Sequence, residues 1–414
     1  MFDQLYNSSQ AIARHATAPY AQERIRYLDY CRQRGDASSI VITKASDLLW
    51  IARKLSVYPD LCLTIDQVRT AVVDRGNDDA ICRHRLDSPR TRKRLIGTAR
   101  AWLRYLGCLR VPVEEIPFQS RLDEYCDWAK HERGLSEASI YSYRHRIKQF
   151  LQWYGTLGRP LSNVQINDCD AYLAFGGGQS WCRVSVRNVV SALRAFFLYG
   201  AEQGWCPPLL SKAIHPPRIY ALERLPAGPA WADVQRLFTE QDSHCPREIR
   251  AHAVLMLFAV YGLRVSEVAK LRLDDIDWAH DLLRVPRAKR REPQVYPLVS
   301  SVGNAILHYL QSVRRPSPHR EVFLTLISPY SPMSRGGLFN IVSARLKAFK
   351  VPYAHYGPHA LRHACACRLV AEGLSLKEIG DHLGHRSTSA TRVYAKVDLA
   401  GLREVAAFDL GELS

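Results

Sequence analysis

The chain has 414 residues, 47% of them apolar, with a formal charge of +17 and a pI near 9.5. This is longer than one ordinary domain and apolar enough for packed cores, which excludes a disordered chain and predicts two or three domains. The positive excess predicts a polyanionic partner, double-stranded DNA foremost, because each phosphate neutralised by Lys or Arg releases condensed counterion.

The N-terminal stretch, with neither a basic nor an apolar signal region, and a longest apolar run of only 253–260 predict a cytoplasmic, nucleoid-associated protein without a membrane partner. Residues 1–110 predict a helical N-terminal accessory domain, with helices over Ala21 to Arg34, Ser46 to Leu55, Ile65 to Val73 and Pro89 to Leu106. In the last of these Arg92, Lys93 and Arg94 share the helix with Leu95, Trp102 and Leu103, a basic face suited to a phosphate backbone.

Pro112, Pro117 and the Glu114-Glu115 pair mark a linker, and residues 118–205 then predict a four-helix unit over Leu122 to His131, Ser136 to Tyr154, Asn167 to Ala174 and Val184 to Gln203. Arg144, Arg146 and Lys148 alternate with Tyr141 and Tyr143 on its second helix and are candidate DNA contacts. Residues 206–230 hold Pro207, Pro208, Pro216, Pro217, Pro226 and Pro229 and predict an extended linker.

Residues 231–414 predict a mostly helical domain with one small sheet: Leu282 to Pro286 and Gln294 to Leu298 read as strands around a basic turn. The apolar helix that includes Val254 to Val260 stops at Tyr261-Gly262; Ser266 is placed to cap the next one, leaving Arg264 at the elbow. His359 and Arg362 lie one turn apart after Pro358, His385 follows a glycine at a helix end, and Tyr394 comes after the turn residues Ser387-Thr388-Ser389. The eleven cysteines form no C-x-x-C pairs, so Cys365, Cys367 and His363, or Cys82 and His84, make poor zinc sets, and neither metal nor cofactor is expected.

Taken in order, Gly262-Leu-Arg264-Val-Ser-Glu267, Leu271-Arg-Leu-Asp-Asp-Ile-Asp277, His359-Ala-Leu-Arg-His363, Leu383-Gly-His385 and Thr391-Arg-Val-Tyr394 resemble the catalytic signature of the tyrosine recombinases, the phage-integrase family. The resemblance covers the catalytic half, and residues 118–205 look like that family's core-binding domain. It implies a mainly α fold with a small antiparallel sheet in the catalytic domain, the domains forming a C-shaped clamp on DNA. The family also uses a hairpin lysine, and Lys289 alone stands between Lys270 and Lys347.

Under that resemblance each residue has a chemical task. A phenol of pKa about 10 is a poor nucleophile at neutral pH, so Tyr394 needs a proton acceptor, for which His359 is the candidate. Arg264 and Arg362, with His385, would hold the non-bridging oxygens and the charge that grows on them. Lys289 would protonate the leaving 5′ oxygen. The implied product is a 3′-phosphotyrosyl link made without metal or ATP, by a homotetramer on two DNA sites that exchanges the tail 395–414.

Common family members lack a counterpart of the first hundred residues, which would bind flanking DNA, hold the tetramer, or recruit a second recombinase or accessory protein. Integration, excision or transposition of a mobile element is the expected task. A type IB topoisomerase-like or telomere-resolving strand transferase uses similar side chains, and a non-cleaving architectural DNA-binding protein is the alternative from another class.

Overall fold

The computed structural model describes residues 1–58, 61–73, 88–110, 116–178, 181–219, 228–239, 245–287, 293–349, 353, 355–385 and 390–397. The chain divides into two compact units, Val111–Glu223 and a second that joins Met1–Arg110 to Arg224–Ser414. Helices dominate both.

In the first segment the helices Ser9–Ala16, Ala21–Gln33, Ser38–Leu55, Ile65–Val73 and Pro89–Tyr105 enclose one core. Ser38–Leu55 starts eight residues before the expected Ser46. Ile40, Val41, Ile42 and Thr43 are β-branched and favour strand locally, but Val41, Ala45, Leu48, Ala52 and Leu55 fall at three- and four-residue steps and are all buried. Burial of that stripe outweighs the few tenths of a kcal/mol per residue that β-branching costs a helix. A two-residue parallel bridge, Leu63–Thr64 with Leu109–Arg110, closes the segment, and the Ser328 hydroxyl donates to Arg34 O at 2.6 Å to tie it to the C-terminal part.

The Val111–Glu223 unit is built from Gln119–His131, Glu137–Gly155, Ile166–Gly178 and Arg183–Glu202 around a core containing Phe150, Tyr154, Phe196 and Phe197. Ser136 caps the second helix by accepting the Ser139 N–H. The third runs four residues beyond the expected Ala174, through Gly176, where Trp181 lies so close that a Cβ would overlap its ring.

In the C-terminal part Pro246–Val260 is the central helix, buried on nearly every face and packed against Ser300–Ser312, Arg335–Ala348 and Pro358–Ala371. Beside it Leu282–Val285 pairs antiparallel with Gln294–Pro297, in register Leu282↔Pro297 through Val285↔Gln294. A third short strand, Ile276–Asp277, completes the sheet. Among the described residues no helix is long and apolar enough to cross a membrane.

Candidate active site

The central helix ends at Tyr261, and Gly262 turns the chain with φ +59°. Leu383 packs where a side chain on Gly262 would have to go, 2.7 Å from an ideal Cβ, so both the positive φ and the close approach require glycine. Arg264, not Ser266, is the N-cap of the following Val265–Lys270 helix; Ser266 lies inside its first turn. Glu267 reaches back one turn, accepting the Arg264 backbone N–H at 2.7 Å and Arg264 Nη1 at 2.9 Å.

That carboxylate also accepts from Arg287 Nη1 at 2.5 Å, so Glu267 bridges two guanidinium groups. Burial alone would raise its pKa, but the Arg264 backbone N–H and the Arg287 charge outweigh it and hold the carboxyl below its ordinary range. Arg287 is itself buried and donates to Gln294 Oε1 and the Tyr296 hydroxyl on the neighbouring strand. Lys289, two residues further on, lies outside the described residues.

A helix leaves its last carbonyls without intrahelical partners. At the end of Leu376–Leu383 side chains take them one after another: Gln294 Nε2 donates to Asp381 O at 2.6 Å, Tyr296 to His382 O, Arg362 Nη2 to Leu383 O at 2.8 Å, and Arg264 Nη2 to Gly384 O at 3.0 Å. Gly384 is left-handed with φ +65°, and an ideal Cβ there would sit 2.7 Å from the Arg287 guanidinium carbon. Arg362 also donates to Gly262 O at 2.6 Å, locking the Pro358–Ala371 helix to the elbow.

The two arginines differ in access. Arg362 is 3% exposed, and burial followed by the charge of Arg264 lowers its pKa to about 10. The Arg264 side chain keeps 40% of its surface open. His385 follows Gly384, and its Nδ1 lies 2.7 Å from Thr391 Oγ1; burial, then Arg362 and Arg264, lower its pKa to about 4.

Tyr394 stands in the short 3₁₀ helix Arg392–Val397, 2% exposed, with its ring parallel to His385 at a centroid distance of 6.5 Å. Burial raises its pKa to about 12, against the opposing charge of Arg362. The phenol hydrogen-bonds to His363 Nδ1 at 2.9 Å. His359 sits one turn earlier on the same helix face, exposed, its ring edge-on to His363 with centroids 4.3 Å apart. His363 makes the direct contact to the phenol in this structure, and His359, the expected acceptor, lies beside it.

The structure therefore brings Arg264, Arg362, His359, His385 and Tyr394 together. The turn residues 387–389 and the tail from 398 onward lie outside the described residues. The basic candidates elsewhere are partly engaged within the protein: Arg144 with Asp123 at 2.5 Å, Arg146 with Ser142 O at 2.8 Å and Arg94 with Asp47 at 3.1 Å, whereas Lys93 is exposed. Among the described residues no group of three or more His, Cys, Asp or Glu side chains is placed to hold a metal ion. Cys365 is buried, its thiol pushed up to about 12, and donates to Val260 O; Cys82 and His84 lie outside the described residues.

Arginine pairs, imidazoles and a tyrosine converging beside an antiparallel hairpin in a helical domain define a tyrosine-type site-specific recombinase. Residues 231–400 match the model of the phage integrase family, and residues 122–204 match that of the phage integrase N-terminal SAM-like domain. The chain is 40% identical over 162 residues, 39% of its length and 83% of the relative's, to a Sinorhizobium fredii protein named for an integrase/recombinase, y4gC. A second from that organism, y4rA, is 29% identical over 418 residues, 97% of each chain. The solved XerH site-specific recombinase bound to palindromic difH substrate, a post-cleavage complex, shares the fold with a TM-score of 0.56 at 17% identity, over 70% of this chain and 84% of that one. The chain belongs to the phage integrase family.

Proposed function

We propose that this recombinase cleaves and rejoins double-stranded DNA through a 3′-phosphotyrosyl intermediate on Tyr394, in the service of a mobile element. The observation that carries the reading is the meeting of Arg264 and Arg362 at the carbonyls that end Leu376–Leu383, with His385 just past that end and the Tyr394 ring parallel to it at 6.5 Å. Arg264 and Arg362 present N–H donors to the non-bridging oxygens, where charge grows as the phosphorus becomes pentavalent, and His385 adds a further donor. The Tyr394 oxygen forms its bond to phosphorus as the bond to the 5′ oxygen breaks, and Lys289 supplies the proton that oxygen takes up.

His359, on the Pro358–Ala371 helix, is the group that receives the phenol proton. Because one phosphoester replaces another, a 5′-hydroxyl from a second duplex reverses the step with no external energy source. Four such sites on two duplexes complete an exchange, which requires a homotetramer coupled by the tail 395–414.

The reading is supported by y4rA, a relative named for an integrase/recombinase whose match extends over 97% of this chain. Residues 1–110 act as an accessory domain, 118–205 as the core-binding domain and 231–414 as the catalytic domain. Arg92, Lys93, Arg94, Arg144, Arg146 and Lys148 supply phosphate contacts, and the protein works in the cytoplasm at the nucleoid.

The test is a nicked substrate that traps the covalent intermediate. An SDS-resistant adduct that leaves a free 5′-hydroxyl is expected. Relaxation of supercoiled DNA by monomers without site dependence would instead mark a type IB topoisomerase-like enzyme.

A further inference from the structure

Resting on the general-acid role proposed for Lys289, we infer that Arg287 is a positioning residue of the cleavage step. Its guanidinium staples the two ends of the connection that carries Lys289 and ties them to the helix terminus where Arg264 and Arg362 meet.

The strand sets where this side chain points. Along Leu282–Val285 and just past it, Leu283, Val285 and Arg287 are buried in alternation with the more open Arg284 and Pro286, so Arg287 takes the third inward position of one strand face. An apolar residue would extend that face without desolvating a charge, and a buried ion pair is seldom a net gain in stability. What a guanidinium adds is direction, because its N–H donors form a rigid planar fork. Here Nη1 donates to Glu267 Oε1 at 2.5 Å, Nε and Nη2 donate to Gln294 Oε1 at 3.1 and 2.7 Å, and Nη2 also donates to the Tyr296 hydroxyl.

Gln294 ends the ladder opposite Val285, so the bonds between Arg287 and Gln294 close the hairpin just where residues 288–293 leave it. Gln294 and Tyr296 donate in turn to Asp381 O and His382 O, next to the carbonyls held by Arg362 and Arg264. Two residues span at most about 7 Å, so the root of Lys289 is tethered to this staple. A lysine stem is flexible by itself, and an error of about 1 Å at a reacting group costs on the order of 10²-fold in rate. With both ends of its connection pinned, the Lys289 ammonium is delivered to the 5′ oxygen, which takes its proton as the bond to phosphorus breaks.

The experiment is single-turnover cleavage by the full-length protein of two nicked substrates, one with the ordinary phosphodiester and one with a 5′-bridging phosphorothioate. Arg287→Lys keeps a cation beside Glu267 but loses the fork. Gln294→Met cuts the staple from its other side and leaves the ion pair intact, which keeps the test open if Arg287→Lys does not fold. Both variants should cleave the phosphodiester at least about tenfold more slowly, yet cleave the phosphorothioate within about threefold of wild type. Arg287→Lys combined with Lys289→Ala should be no slower than Lys289→Ala alone. A merely structural role would slow both substrates equally or multiply the losses in the double variant, and either result overturns the inference, as does wild-type cleavage of the phosphodiester by both single variants. Lys289→Ala on the two substrates separates the levels: if sulfur does not restore that variant the general acid itself is misassigned, whereas if it does, the Arg287 and Gln294 results bear on positioning alone.

Discussion

Arg362 and Arg264 donate to consecutive backbone carbonyls, Leu383 O at 2.8 Å and Gly384 O at 3.0 Å. The spacing between the two guanidinium groups is therefore set by the peptide geometry of one helix terminus. Gln294 and Tyr296 bind the two preceding carbonyls, which places the hairpin on the same ruler.

Gly384→Ala is the smallest change that disturbs it. The new methyl would need a left-handed backbone and would meet the Arg287 guanidinium carbon at 2.7 Å, in a network where Arg287 cannot swing aside. A loss of about 1–3 kcal/mol is expected, with a larger loss of cleavage. Denaturant unfolding reads the first, and a fully stable variant would refute the account.

Glu267→Gln removes the only carboxylate that Arg287 contacts among the described ion pairs, leaving a buried guanidinium opposite a neutral amide. Breaking such a pair from one side costs about 3–5 kcal/mol. The melting temperature should drop well beyond what a surface substitution produces, and an unchanged one would show that Arg287 finds another partner.

Three histidines make the fold sensitive to acid. Burial lowers His15, His363 and His385 from 6.5 to about 4 in the folded chain. Between those values the unfolded state binds more protons, so their neutral burial favours folding fully above pH 6.5 and progressively less as pH falls towards 4. The combined loss is on the order of several kcal/mol, visible as a falling melting temperature over that window. A flat profile there would mean that the three rings stay accessible to protons.

Tyr394→Phe keeps the ring, 2% exposed, and deletes only the hydroxyl. It should bind and pair sites with near-native stability and form no covalent adduct on an SDS gel. Nicked DNA trapped by this variant would relocate the nucleophile.

Lys289→Ala should slow cleavage of an ordinary phosphodiester while a 5′-bridging phosphorothioate, whose sulfur leaves without protonation, restores it. Equal defects on both substrates would remove the general-acid role.

Much of this architecture is legible in the chain because long amphipathic helices announce themselves by burial period, as Pro89–Tyr105 and Arg183–Glu202 do. What escapes is decided by tertiary contact. The β-branched run Ile40 to Thr43 favours strand locally until the stripe from Val41 to Leu55 finds a core, and the two-residue strand Ile276–Asp277 is too short to carry a pattern. At the site, the motif order points to the arginines, to His385 and to Tyr394 but not to the partner of each.

His363 had a signal available, a second imidazole one turn from His359 and so on the same face. The Glu267–Arg287–Tyr296 network had none, since its members sit on separate elements that nothing in their spacing relates.

The shared anchorage at residues 381–384 has a kinetic consequence. When this short helix frays, both arginines lose a carbonyl and the hairpin loses its foothold in a single event, so half-armed sites are sparsely populated. Cleavage competence should then switch on and off as a unit. Hydrogen exchange at the amides of Gly384 and His385, which bond to Asp381 O and Gly380 O, would report the fraction of molecules disarmed at any moment.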